Sequence, residues 1–426
     1  MRATEIAGKI KNGIFDAAFV KLYGNQRLAR ERQRYISLSE GFIAHYGDIE
    51  AELFSVPGRS EISGNHTDHN SGKVIASAVD IDIIAMASKQ SGRIIKVKSE
   101  FHRDCEANLD RLSQAAVKKG HSSAIVAGVA DYFIKNGFNV GGALVYTKSA
   151  VSAGSGISSS AAFEVMVGNI LNHFYNGGNL SPLDLAKAGK YAENVFFGKP
   201  CGLMDQTACA VGGTCYMDFL DQDNIFCEKL DFDPDSQGYS LCIIHTGSDH
   251  AKLTDEYASL PAEMKSVASF YKKENLRQVD VSDFFNDIPA LRKICGDRAV
   301  LRAFHFFNEN DRVENQRSAV KAGDYGRFFK NLAESGDSSY KYLQNVFSPG
   351  QVKTQGIALA LALCGKTGVT ARVHGGGFAG TAQAWVKEDQ KKNFILTLES
   401  VFGKGCLMFV KIRRFGAVKV REDDIC

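Results

Sequence analysis

The chain lacks several features that would place it in a large class at once. Its ten cysteines are scattered and no CxxC pair occurs among them, so neither a zinc site nor a thioredoxin-like motif is indicated. No apolar run approaches the length of a membrane span. The opening segment, MRATEIAGKIKNGIFDAAF, is charged and has no apolar core of the signal-peptide kind. There is no basic stripe with interleaved aromatics, and a net charge of +3 is too small to argue for a nucleic-acid or membrane partner. The pattern GxxxxGK[ST] is missing, which excludes a P-loop protein. Internal repeats, low-complexity tracts and the clean strand–helix alternation of a doubly wound sheet are missing as well. The simplest account is a cytoplasmic protein with free thiols and small-molecule partners, either a monomer or a weak homo-oligomer.

What is present suits two globular domains. The 426 residues are 44% apolar and 23% charged. Residues 1 to about 50 read as charged helices. Lys73 to Ala87 and Arg93 to Ser99 are β-like, and Gly142 to Lys148 is a strand. Ser122 to Asn136 reads as a helix, and Ser181-Pro182 opens another that runs to about Phe196, with serine as cap and proline in the first turn. The polar stretch Asp218 to Ser240 suggests a division into 1–220 and 221–426. Beyond it, strands at Leu241 to Thr246, Gly380 to Val386 and Cys406 to Ile412 mix with helices at Ala299 to Asn308 and Val352 to Leu363. The pattern is α+β.

Three glycine-punctuated motifs stand out. The second, GSGISSSAA (Gly154 to Ala162), leads into an apolar helix whose Phe163, Val167, Ile170 and Phe174 share one face, with Ser158 as candidate N-cap and Asn176-Gly177-Gly178 as its end. A glycine turn entering a helix offers unpaired N–H groups and a positive dipole end to an anion. The same stretch also reads as a capped helix after a flexible loop. The first motif, VPGRSEISGNHTDHNSG (Val56 to Gly72), crowds Arg59, Glu61, Asn65, His66, Asp68 and His69 together, which suits a polyhydroxylated ligand or a solvated loop. The third is HGGGFAGTA (His374 to Ala382). In KPCGLMDQTAC (Lys199 to Cys209), Asp205 sits among small and apolar residues, where a carboxylate needs a partner or a job; Arg59 is a candidate partner. Glu193 reads either as a ligand or as a surface helix glutamate.

In order and wording these motifs resemble the GHMP kinases, and within them the galactokinases. The family pattern PGRxNxIGEHTDYxxG is matched by PGRSEISGNHTDHNSG, PxGxGLSSSAA by SAGSGISSSAA, GMPCGIMDQ by GKPCGLMDQ, and GGGFGG by GGGFAG. The family's HSLASSEY resembles HAKLTDEY, His250 to Tyr257. The first 50 residues and much of Ala262 to Lys366 match only loosely.

The resemblance implies a two-domain GHMP kinase fold, with an N-terminal α/β domain like ribosomal protein S5 domain 2, a C-terminal ferredoxin-like domain and the site in the cleft. It implies ATP and Mg²⁺, and transfer of phosphate to the anomeric hydroxyl of galactose. Asp205 would accept or orient that hydroxyl's proton, with Arg59 beside it. Asn65, His66, Asp68, Gly202 and Tyr257 would contact the sugar. Gly154, Ser155, Gly156, Ile157, Ser158, Ser159 and Ser160 would cradle ATP, closed over by Gly375, Gly376 and Gly377. Ser160 and Glu193 would hold the metal.

The sequence departs from the family pattern at Glu61, Asn65, His69, Ser152 and Ala379. Asn65 replaces a glutamate that the resemblance puts near the sugar's C6, so Asn65 is expected to read C6 and to admit a uronic acid there. Related sugar kinases acting on galacturonate, N-acetylgalactosamine or arabinose are therefore rivals. So is a non-catalytic galactose sensor, although the intact SSSAA run argues against it. A metal-dependent hydrolase using His66, Asp68 and His69 would need tight metal binding without nucleotide.

Overall fold

Two long neighbouring strands carry the first motif, β1 (Glu52–Ser63) and β2 (Lys73–Gln90). Their side chains alternate between two apolar environments, as the two-residue period of a strand requires. Phe54, Val56, Ile83 and Ala85 join one core, and Leu53, Ile84 and Met86 join another. The second core is covered by α1 (Ala3–Lys11), α2 (Asp16–Tyr23) and α3 (Leu28–Tyr46), the charged helices expected at the N-terminus. The structure, a computed structural model, describes residues 1–100, 103–114, 117–151, 156–222, 224–247, 253–378 and 380–426.

The first sheet continues with β3 (Ile94–Ser99), β4 (Cys105–Asn108) and β5 (Gly142–Ser149), the last reached through α4 (Ser122–Lys135). The strands expected on either side of Ser91-Gly92 do not pair with each other. β5 lies between them, antiparallel to β2 and parallel to β3. On the large core's face lie α5 (Ser159–Tyr175), α6 (Pro182–Tyr191) and α7 (Met204–Val211). The Ser181-Pro182 start of α6 is a full capping box, Ser181 and Asp184 each bonding the other's backbone. After Tyr191 the helix widens into a π-turn, Ala192–Phe197, which carries Glu193.

Helix α5 buries more than the expected single face. Val167, Ile170 and Phe174 are buried, but so are Val165, Met166 and Leu171, because α5 is enclosed by β1, β2, α4, α6 and α7. Phe163, expected on the buried face, is only half-buried.

Next come β6 (Thr214–Asp218), β7 (Phe226–Leu230) and β8 (Tyr239–His245), then α8 (Thr254–Phe270), α9 (Val281–Asn286), α10 (Ile288–Ile294), α11 (Asp297–Lys321), α12 (Tyr325–Ser338) and α13 (Gly356–Lys366). The chain closes with β9 (Thr370–Val373), β10 (Thr381–Lys387), α14 (Glu388–Phe402), β11 (Leu407–Val410) and β12 (Val418–Val420). The second sheet has the order β11-β8-β10-β9, antiparallel throughout. With helices between its first and second and between its third and fourth strands, this is the ferredoxin-like β-α-β-β-α-β arrangement.

A boundary at residue 220 cuts through a sheet. β7 pairs with β6, and β12 returns from the far end of the chain to pair with β1. A buried polar knot fixes that return. Asp82 accepts hydrogen bonds from Arg34, Arg413 and Tyr23 at 2.5, 3.0 and 2.5 Å. Burial opposes the charge of Asp82, but the two arginines outweigh it and hold the carboxyl down at about 2. Among the described residues, no helix is long and apolar enough to cross a membrane. All ten cysteines are unpaired thiols.

Candidate active site

Strand β1 changes register against β2 between Pro57, opposite Asp82, and Arg59, opposite Ala78. The extra β2 residues are held by the returning chain. Asp80 N–H donates to the Lys411 carbonyl at 2.9 Å, and Arg413 N–H donates to the Ala78 carbonyl at 2.9 Å. Such irregularities re-aim side chains, and here the residue at the shift is Arg59. Its Nε and Nη2 donate to Asp205 Oδ1 and Oδ2 at 2.7 and 2.8 Å, and its Nη1 donates to the Gly156 carbonyl at 2.5 Å. Asp205 lies in the first turn of α7, where the helix dipole favours negative charge. The Ser158 hydroxyl donates to Asp205 Oδ2. Burial works against the Asp205 charge, but Arg59 and Ser158 hold the carboxyl below the ordinary aspartate range.

Ser158 is therefore not the helix cap expected from the sequence. It stands at the N-cap position of α5 but in the left-handed region, φ 55°, and its side chain makes no capping bond. That hydroxyl is used on Asp205 instead. Among the described residues, each glycine motif holds non-glycine residues in this costly conformation: His66 and Ser71 in the first, Ser158 in the second and Phe378 in the third. The second and third motifs touch at Gly156, φ 75°, where a Cβ would stand 2.5 Å from Thr381 Oγ1 and 2.8 Å from His374 Nδ1. Ile157 accepts from Arg59 N–H at 3.1 Å. Gly154 and Ser155 lie outside the described residues, as do Ser152, Ala379 and His250.

Ser159, Ser160 and Glu193 line one cavity of about 230 Å³, whose apolar wall includes Ile83, Ile125 and Phe163. Glu193 is 3% exposed, so it is not a surface helix glutamate. The π-turn aims it, with Gly198 N–H closing the widened turn onto the Glu193 carbonyl at 2.9 Å. Gln206 Nε2 bridges Glu193 Oε2 at 3.3 Å and Glu164 Oε2 at 2.9 Å. Burial, and then the neighbouring Glu193, push Glu164 well above the usual carboxyl range. Lys199 Nζ donates to Glu193 Oε1 at 3.0 Å. The hydroxyl and carboxylate oxygens of Ser160 and Glu193 are hard donors, the type a small divalent cation takes.

The first motif folds against the Lys199 to Cys209 segment and the third motif. Gly202 has no room for a side chain, because a Cβ there would stand 2.1 Å from Asp68 Oδ2. His66 Nε2 carries its hydrogen and donates to the Gly376 carbonyl at 2.9 Å. Burial and then His69 push His66 down to about 4. The Tyr257 hydroxyl donates to the Gly377 carbonyl at 2.8 Å, and its ring lies against Gly376.

Asn65 overturns an expectation. It is fully buried, and protein groups take both ends of its amide. Nδ2 donates to Glu61 Oε1 at 2.9 Å and to the Gly375 carbonyl at 2.8 Å, and Oδ1 accepts from Asn345 Nδ2 at 2.7 Å. It therefore has no free group with which to read a sugar's C6. Its partner Glu61 is also a departure from the family pattern, and it carries the charge. Glu61 in turn meets the fully buried Arg372, whose Nη2 donates at 2.9 Å. The two departures form one contact, with the carboxylate at 61 and the amide at 65.

Sequence reasoning missed Glu164, Lys199, Gln206, His305, Glu309, Asn345 and Arg372. Buried Glu309 accepts from Gly64 N–H at 3.0 Å, and His305 donates to the Asn65 carbonyl at 2.9 Å. The one available signal was Arg372, a permanent charge inside a short strand-like stretch, which requires a buried partner. Among the described residues, no group of three or more histidine, cysteine or acidic side chains is placed to hold a metal ion. The hydrolase reading built on His66, Asp68 and His69 thus has no site.

Residues 40–89 match the galactokinase galactose-binding signature, and residues 123–213 match the N-terminal domain of GHMP kinases. The galactokinase of Streptomyces coelicolor is 30% identical over 351 residues, covering 81% of this chain and 87% of its own. The chain belongs to the galactokinase family. The galactokinase of Lactococcus lactis, solved with galactose, matches with a TM-score of 0.77 at 25% identity, over 90% of this chain and 99% of that one. The mevalonate kinase of Methanococcus jannaschii, 14% identical, shares the fold at a TM-score of 0.60. The chain is a galactokinase-type sugar kinase with the two-domain α+β architecture of the GHMP fold.

Proposed function

We propose that this chain transfers the γ-phosphoryl group of ATP to the anomeric hydroxyl of galactose, giving galactose 1-phosphate and ADP. The observation that carries this reading is the Asp205 carboxylate. It accepts two bonds from Arg59 and one from Ser158, where the sugar motif meets the phosphate loop. Phosphoryl transfer asks a protein mainly for positioning and charge stabilisation. A carboxyl held below its ordinary range is a weak base. Asp205 therefore orients the hydroxyl and takes its proton late, as the new O–P bond forms and the bond from the γ-phosphorus to the bridging oxygen breaks. Arg59 stabilises the negative charge that develops on the sugar oxygen.

Asp68, Gly202, His66 and Tyr257 surround the sugar. Gly156 to Ser160 and Gly375 to Gly377 line the phosphates, and the apolar wall of the neighbouring cavity takes the nucleoside base. Ser160 and Glu193 would hold Mg²⁺, which would neutralise phosphate charge. The reaction belongs in the cytoplasm, where ATP is available. With Asn65 sealed away, the observation that favoured a uronic acid is gone.

The test is an ATP-consumption screen over galactose, N-acetylgalactosamine, galacturonate, arabinose and glucose, with ³¹P NMR on the product. Galactose should give the highest kcat/KM and a phosphate at the anomeric carbon. A higher kcat/KM for another sugar would replace the substrate. No turnover with any sugar, together with galactose binding, would make the chain a sensor.

A further inference from the structure

The segment before α7 places one more charge beside Glu193. Lys199 Nζ stands 3.0 Å from Glu193 Oε1; the glutamate side chain is 4% exposed and the lysine side chain 62%. A sunken carboxylate thus faces outward onto an ammonium that solvent reaches. Behind Glu193 is a second acidic group, Glu164, bridged to it by the Gln206 amide. Among the described residues, Glu164 Oε1 has no hydrogen-bond partner. Among the described residues, Lys199 makes the one ion pair that either acid has. The one positive charge that the Glu193 carboxylate meets among the described residues comes from an exposed lysine side chain rather than from a buried arginine of the kind seen at Arg59.

We propose that Lys199 is a further active-site residue, a resident cation that competes with the divalent metal for Glu193. The proposal rests on the reading of Glu193 as a metal ligand. An ammonium on a flexible four-carbon stem is a compact, strongly hydrated charge and is easily displaced. An ion pair this exposed on one side is weak, so the lysine lowers metal affinity without abolishing it. Without nucleotide, Lys199 holds the position and the free metal binds poorly. Nucleotide phosphates bring negative charge that attracts the metal and the displaced ammonium alike, so the metal enters with the nucleotide.

The experiment is Mn²⁺ titration, followed by electron paramagnetic resonance, of the nucleotide-free protein and of its ADP complex. Without nucleotide, Lys199→Met should bind Mn²⁺ about tenfold more tightly than the unaltered protein, a factor equivalent to about 1.4 kcal/mol. Lys199→Arg, which keeps the charge, should stay near the unaltered protein. Adding Glu193→Gln to Lys199→Met should abolish the gain. Equal or weaker Mn²⁺ binding by Lys199→Met would overturn the proposal. If Glu193→Gln nonetheless weakens Mn²⁺ binding in the ADP complex, the metal-ligand reading of Glu193 survives that failure. If Glu193→Gln changes nothing in the ADP complex, both readings fall together.

Discussion

Strand β1 carries two charged residues on one face, Arg59 and Glu61, two positions apart. Each meets its opposite charge from far along the chain, Asp205 for the first and Arg372 for the second. At the first pair the carboxylate is 30% exposed. At the second the arginine is 0% exposed and the glutamate 4%. Their carboxyls move in opposite directions. Asp205 is held low because a bidentate arginine and a hydroxyl outweigh burial. Glu61 rises because burial outweighs Arg372. The lesson concerns access. An ion pair with one open face can take part in a reaction, whereas a sealed pair can only hold its surroundings together. What the Glu61 pair holds is the third glycine motif, through the bonds of Asn65 and Asn345 to the Gly375 and Gly376 carbonyls.

The comparison breaks most sharply at Asp205. Asp205→Asn should keep the fold and ATP binding but lower kcat by about 10²–10⁴-fold, the usual cost of losing a catalytic proton acceptor. The fall should be in kcat rather than in KM. Steady-state kinetics beside a melting curve checks this, and near-normal kcat would take Asp205 out of the mechanism. Glu61→Gln should do the reverse. It leaves Arg372 as a buried cation without its counter-charge, at a cost of about 3–5 kcal/mol in stability, while kcat changes less than tenfold. Urea unfolding reads the loss, and a change below about 1 kcal/mol would mean that Arg372 has other support.

A charge exchange sharpens the same contrast. Asn65→Glu alone puts two carboxyls in contact inside a sealed network and should destabilise strongly. The double variant Glu61→Asn with Asn65→Glu restores a single charge and the same donor–acceptor contact. It should recover stability, with a coupling of about 0.5–3 kcal/mol between the two sites. Additive effects would show that the two positions are independent.

A further effect is expected in acid. His66 and His305, beside the sealed network, are pushed down to about 4, in each case first by burial. Between their unfolded pKa of about 6.5 and that value, the unfolded chain binds more protons than the folded one. Stability should therefore fall as pH drops through this window, by up to about 1.4 kcal/mol per pH unit for each histidine. Asp205 contributes in the same sense but at lower pH: its stabilisation is present above the ordinary carboxyl range and is lost as pH falls through its lowered folded value. The sealed region should thus weaken before the Asp205 carboxylate protonates. Thermal melts between pH 7 and pH 4 check it, and a flat melting temperature across that range would contradict the assignment of neutral, buried histidines.

Much of the frame was legible because its causes are short-range. The Ser181-Pro182 capping box, the Asn176 stop after α5 and the strand at Gly142 each depend on a few neighbouring residues. Asp205 among small residues, and Arg59 as its partner, could be read from the cost of an unpaired buried charge. Ser158 looked like a cap because capping is a local rule, but a carboxylate 47 positions later took its hydroxyl. Asn65 looked like a ligand contact because it sits inside a ligand motif. Its environment is set instead by Asn345 and Gly375, 280 and 310 positions away.

The sequence by itself determined the motifs, their order, and the elements that present them. Backbone turns, caps and apolar periodicity act over a few residues and leave their mark in the local pattern. Only the tertiary structure decided which polar side chains face the cleft and which are sealed behind it. That division depends on how β10, α11 and the returning 411–413 segment pack against β1 and β2. Burial and charge pairing act through space, between residues whose separation in sequence carries no trace of the contact.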